Sequence, residues 1–214
     1  LEERRGIPRT KEDLRKVSTK ILGVQVDIFT WTEEELGVAD AVKGETISIV
    51  CLSQHGLLAS WVNVWIEKGR EIMKRVETPL PPGTVVHVDK SRGLGKYADE
   101  CRHHNGVLRY AIGWTRSVDL GYAGSCLAQY QAHWCREADA LLVRTVSYVA
   151  ATLDMVEYHI VSSRELRRKE IDAVAEADSS HAGHKDCRGQ SFINVSLVGR
   201  FTKITPHSAS KKSS

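Results

Sequence analysis

The five cysteines and nine histidines are where this 214-residue chain could do chemistry. Cys126, preceded by Ser125, lies in the run Gly-Tyr-Ala-Gly-Ser-Cys-Leu-Ala over 121–128. A sharp strand-to-helix bend needs small residues two places either side of an exposed nucleophile, because larger side chains collide across it. Gly124 and Ala128 meet that need around Cys126. Residues 118–122 read as a strand-like lead-in and 127–137 as a helix, so the expectation is an elbow that exposes a reactive thiolate. The helix start beyond it would offer free N–H groups to a developing oxyanion. The competing expectation is an ordinary buried helix with Cys126 as a small core residue.

Two further clusters suggest other chemistry. His181-x-x-His184-x-x-Cys187 has spacings that let its side chains meet one zinc ion, with Cys101-x-His103-His104 or His133-x-Cys135 completing a tetrahedral set. The plain alternative is a polar loop that happens to hold two histidines. Arg164, Arg167, Arg168 and Lys169, with Arg4, Arg5, Arg9 and Lys211-Lys212, would suit nucleic-acid phosphates. Glu165 and Glu170 argue instead for a solvated helix face.

The elements that would position these groups follow from composition and pattern. Apolar residues make up 42% and charged residues 27% of the chain, as in a globular protein, and the net charge is only +3. That charge permits an acidic partner without requiring one. No apolar run approaches the roughly 18–20 residues of a membrane span. Odd-numbered, scattered cysteines without a secretory signal suggest reduced thiols and a cytoplasmic setting. Residues 1–22 read as a basic arm or helix, 23–205 as one domain and 206–214 as a disordered tail.

Within the domain, strands are expected at 23–31, 46–52, 84–89, 107–114 and 192–204. Thr32 caps the acidic first turn of a short helix reaching about Val42, and a helical period over 57–77 is interrupted at Gly69. Trp61 and Trp65, at i and i+4, read as core. Residues 138–151 suit either strand or helix, and 163–177 a helix. Strands alternating with helices predict an α/β fold: a mostly parallel sheet flanked by helices.

The motif order resembles the α/β-hydrolase superfamily over residues 46–150. HGLLASW from His55 is similar to its HG oxyanion loop, DKSRGLG from Asp89 to its D-x-x-G-x-G turn, and GYAGSCLA from Gly121 to its nucleophile elbow. A literal G-x-S-x-G frame from Gly121 puts Ala123 at the nucleophile; only the shifted frame from Gly124 supplies Cys126. The resemblance implies acyl transfer on a small-molecule ester, thioester or amide. Cys126 would attack, His207 would activate it with His184 or His181 as substitutes, and Asp178 would orient the imidazole. Backbone at Gly56, Leu57 and Leu127 would hold the oxyanion. The alternative function is a non-enzymatic zinc- or nucleic-acid-binding structural protein, or a relic that has lost catalysis.

Overall fold

A two-residue turn sets the first strand pair. In the computed structural model, Leu22 and Gly23 both have positive φ, 49° and 82°, the backbone that matches the twist of a tight hairpin. The structure describes the backbone of residues 15–180 and 190–212, and their side chains except at 15, 179–180, 190, 192 and 206–212. Strand β1 (Arg15–Ile21) thus folds back on β2 (Val24–Thr32), which pairs in turn with β3 (Thr46–Ser53). Between β2 and β3 the expected cap forms. Glu35 N–H donates to Thr32 Oγ1 at 3.1 Å and Thr32 N–H to Glu35 Oε2 at 2.6 Å. Gly37, at φ 65°, halts the segment as a turn before any helix develops.

From β3 the chain runs through four helices before returning. These are α1 (His55–Glu67), α2 (Cys101–Trp114), α3 (Ser117–Gln129) and α4 (Arg136–Ala151). Strand β4 (Glu157–Ser162) then pairs antiparallel with β3, Ile47 opposite Ser162. A short helix α5 (Ser163–Arg168) precedes β5 (Asp172–Ser180), β6 (Gln190–Val198) and β7 (Lys203–Lys212). The sheet order is β1-β2-β3-β4-β7-β6-β5, and every strand pair whose register is described is antiparallel.

The mostly parallel α/β sheet expected from the sequence is therefore corrected. Two of its supposed strands are helices: 107–114 lies in α2 and 118–122 in α3. Residues 84–89 run without a ladder. The alternation that looked like successive βαβ units is one helical excursion between two sheet neighbours. The helix over 163–177 ends at Lys169, whose φ of 58° forms a left-handed cap, and the chain continues as β5. The single late strand is two, parted at Gly199, and β7 continues to Lys212.

The chain divides into two compact units. One comprises residues up to Ser53, Val156–Ala175 and Val195–Pro206; the other comprises Gln54–Met155, Glu176–Asn194 and the chain from His207. In the first, burial of charge is matched by pairing. Arg164, 6% exposed, lies 3.2 Å from the carboxylate of fully buried Glu33 and donates to Asp40 O at 2.9 Å. Buried Glu165 accepts from Phe201 N–H and Thr202 N–H, each at 2.8 Å.

The second unit holds the apolar core. Each helix buries one stripe at helical spacing: Leu58, Trp61, Val62 and Trp65 on α1, Leu108 and Ala111 on α2, Leu120, Ala123 and Leu127 on α3, and Ala138, Leu142, Val146 and Val149 on α4. Helices α2 and α3 pack closely at Gly124, where an added Cβ would sit 2.3 Å from Ile112 Cδ1. Among the described residues no helix is long and apolar enough to cross a membrane.

Candidate functional site

Cys126 stands inside continuous helix α3, fully buried, with no strand leading into it. The elbow expected at 121–128 is not formed. Burial pushes the thiol up to about 11, and the Tyr122 hydroxyl bonds to it. A thiol held neutral at pH 7 is a poor nucleophile. Ser125 is partly buried on the same helix, and Leu127 is an interior helix residue whose N–H belongs to the helical ladder. Gly56 and Leu57 lie in the first turn of α1. Asp178 is an exposed residue of β5, and His207 lies in β7, where its side chain is outside the described set.

The zinc candidates His181, His184 and Cys187 fall outside the described residues. Among the described residues no three His, Cys, Asp or Glu side chains gather as a metal centre requires. The basic cluster is largely taken up by internal pairing. Arg164 faces Glu33 and Asp40, Arg167 pairs with Glu45, and Arg168 lies 3.9 Å from Glu170. Lys169 is exposed at the cap of α5.

The described residues form a different site in the helical unit. Helix α1 projects Trp61, Val64, Trp65 and Lys68 at i, i+3, i+4 and i+7 along one flank. Gly69, at φ 65°, then turns the chain so that Arg70 folds back over the Trp65 ring. A 3-10 turn at Ala98–Glu100 leads into α2 and presents Asp99, Glu100, His103 and His104. Together these residues line a pocket of about 370 Å³.

Its polar groups are held firmly. The Arg70 guanidinium sits 4.9 Å from the ring centroids of both Trp65 and Tyr97, a stacked cation with its side chain only 9% exposed. Glu100 accepts from Lys68 Nζ at 2.8 Å and also from Arg70 Nη2. The Lys68 hydrogen bond, aided by Arg70 and opposed by burial, holds the Glu100 carboxyl down at about 2. His104 is 3% exposed. Burial, with the charges of His103 and Arg70, lowers it to about 4, so it is neutral at pH 7.

A neutral imidazole donates from one nitrogen and accepts at the other. Trp61 Nε1–H points at His104 Nδ1 from 3.0 Å, while Arg70 Nη1 lies 3.3 Å from Nε2. Both neighbours are donors, so either tautomer leaves one donor facing another. Satisfying the more deeply buried Trp61 puts the proton on Nε2, where the nearest acceptor, Glu100 Oε2, is 4.0 Å away and out of range. Nε2–H and the Arg70 guanidinium then stand as two donors 3.3 Å apart in the pocket wall, with no acceptor between them.

Trp61 and Trp65 are buried, as their i, i+4 spacing predicts, whereas His103 and His104, expected in a zinc set, line the pocket. No sequence motif marks Arg70 and Glu100. Their only signal was the turn at Gly69, since the two residues lie 30 positions apart. No family model matches the chain, and no curated protein sequence or solved structure shows significant similarity to it.

Proposed function

We propose that this chain is a non-enzymatic binding protein whose helical unit takes a small oxyanion, a carboxylate or phosphate group, in the pocket between Arg70 and His104. The observation that carries this reading is the donor facing a donor at His104 Nε2 and Arg70 Nη1. An oxygen with two lone pairs would accept from both and remove a mismatch the protein cannot resolve alone. The tryptophan wall supports a ligand with an apolar or aromatic body behind the anionic group. Glu100 serves as the resident counter-ion, neutralising Lys68 and Arg70 while no ligand is present. A buried thiol near 11 supports placing Cys126 in the core instead of in a reaction.

The test is calorimetric titration of the full chain with inorganic phosphate and with benzoate at pH 7. Saturable binding of either, lost in Arg70→Gln and His104→Asn variants of unchanged helicity, is the expected result. The absence of binding up to tens of millimolar, or binding unaffected by both substitutions, overturns the reading.

A further inference from the structure

Helix α2 carries a second feature, which shares only His103 with the pocket. Its sequence, CRHHNGVLRYAIGW, has no acidic residue. Its outward positions repeat every seven residues: Arg102, His103 and Gly106, then Arg109, Tyr110 and Gly113, with Trp114 closing the second set. All seven are exposed. At 3.6 residues per turn the residues sort into three rows along the helix. The arginines fall within about 20° of each other, the glycines within about 20°, and the three rings within about 40°. The glycine row lies between the other two.

The arginine and glycine rows are unexplained by folding, and the ring row leaves aromatic surface in solvent. Neither Arg102 nor Arg109 makes an ion pair or side-chain hydrogen bond among the described residues, whereas Arg70, Arg116, Arg164 and Arg167 are all paired. Tyr110 and Trp114 leave 37% and 43% of their surface in solvent. A Cβ built on Gly106 or Gly113 would meet nothing within 4 Å, so packing does not call for glycine at either place. Glycine inside a helix is among the least favourable choices. Its one gain here is a low floor that lets another backbone come close.

We infer that this face of α2 binds single-stranded nucleic acid. The strand's backbone would lie along the glycine floor, with phosphates against Arg102 and Arg109 and bases stacked on Tyr110 and Trp114. The two arginines stand about 10.5 Å apart along the axis, and His103 and Tyr110 repeat that spacing. Charge favours a polyanion, because nothing on the helix itself opposes it. The ring row favours unpaired bases, whose faces are open to stacking, over a duplex, whose faces are closed.

The experiment is fluorescence anisotropy of a labelled 20-mer of deoxythymidine with the full chain, at salt from 50 to 200 mM. Binding should weaken steeply with salt. In Arg102→Ala/Arg109→Ala the log–log salt slope should become shallower by about 1.4, at about 0.7 per lost phosphate contact. Tyr110→Ala should weaken binding by roughly five- to 150-fold. Gly106→Ala should raise the thermal midpoint yet weaken binding, opposite signs that a purely structural glycine would not give. Arg70→Gln, in the pocket, should leave the affinity unchanged, which separates this face from the oxyanion site. The inference is overturned by no binding at 50 mM salt, by an unchanged slope in the double variant, by equal affinity for duplex, or by a dimer in sedimentation that buries this face.

Discussion

Acidification should destabilise the protein through His104 first, and the structure sets how much. The imidazole is neutral in the fold and titrates near 4, against an ordinary value of 6.5. The folded value is the lower one, so as pH falls the unfolded chain takes up the proton before the folded chain does. The stabilisation is therefore complete above about 6.5, declines between 6.5 and 4, and is gone below 4. A difference of about 2.5 pH units corresponds to at most about 3 kcal/mol for this nearly inaccessible group. His159, lowered by burial, contributes in the same direction, so the test must isolate His104. Asn at position 104 keeps an acceptor for Trp61 and removes the titration. Urea unfolding of wild type and His104→Asn from pH 7.5 to 4 should give a stability difference that is constant at high pH. The wild-type advantage should then shrink by up to about 3 kcal/mol towards pH 4. Parallel curves across the range would refute the claim that burial keeps this imidazole neutral.

Other outcomes follow from the same contacts. Glu100→Gln removes the counter-ion of Lys68 and Arg70; it should tighten phosphate binding by calorimetry while lowering the urea midpoint. It should also remove the Glu100 share of the stability lost between pH 4.5 and 2, because that carboxyl is depressed to about 2 in the fold. Asp27, Asp40, Glu45, Asp89 and Glu165, also lowered, still titrate in the variant. Gly95→Ala should destabilise by about 1–3 kcal/mol in thermal unfolding, as overpacking does. The new Cβ would lie 2.6 Å from Cys135 O and 2.7 Å from an Asp139 carboxylate oxygen. That carboxylate has little room to yield, since it accepts from Lys96 N–H at 2.5 Å and Trp134 Nε1–H at 2.8 Å. Cys126 should react with iodoacetamide at pH 7 only as fast as the protein unfolds, read by peptide mass spectrometry.

How much of this was legible depended on whether local pattern and tertiary role agreed. They agreed at β2 and β3, whose β-branched runs form strands, and at the Thr32–Glu35 cap. They agreed again in α1, which ends just before Gly69, but not beyond it, where the helical period expected to residue 77 forms no helix. They disagreed in α2 and α3, where 107–114 reads as a strand and Gly121 and Gly124 as part of a strand-to-helix elbow. Gly124 is there because Ile112 of the neighbouring helix fills the space a side chain would take, a fact of packing that no window of sequence carries. The spacing of Cys101, His104, Asn105, Leu108 and Ala111 did hold the helical period. The run Val-Leu-Arg-Tyr-Ala-Ile imitates a strand because both periods fit so short a segment. The cationic cluster at 164–169 looked free because its partners, Glu33, Asp40 and Glu45, lie more than 100 positions away. The pocket was hidden for the same reason.

The most direct measurement is nitrogen NMR of the His104 imidazole as inorganic phosphate is added at pH 7. The account predicts a proton on Nε2, an unprotonated Nδ1 accepting from Trp61, and a saturable shift of the Nε2–H signal that Arg70→Gln removes. A proton found on Nδ1, or a ring whose signals ignore phosphate, would contradict it.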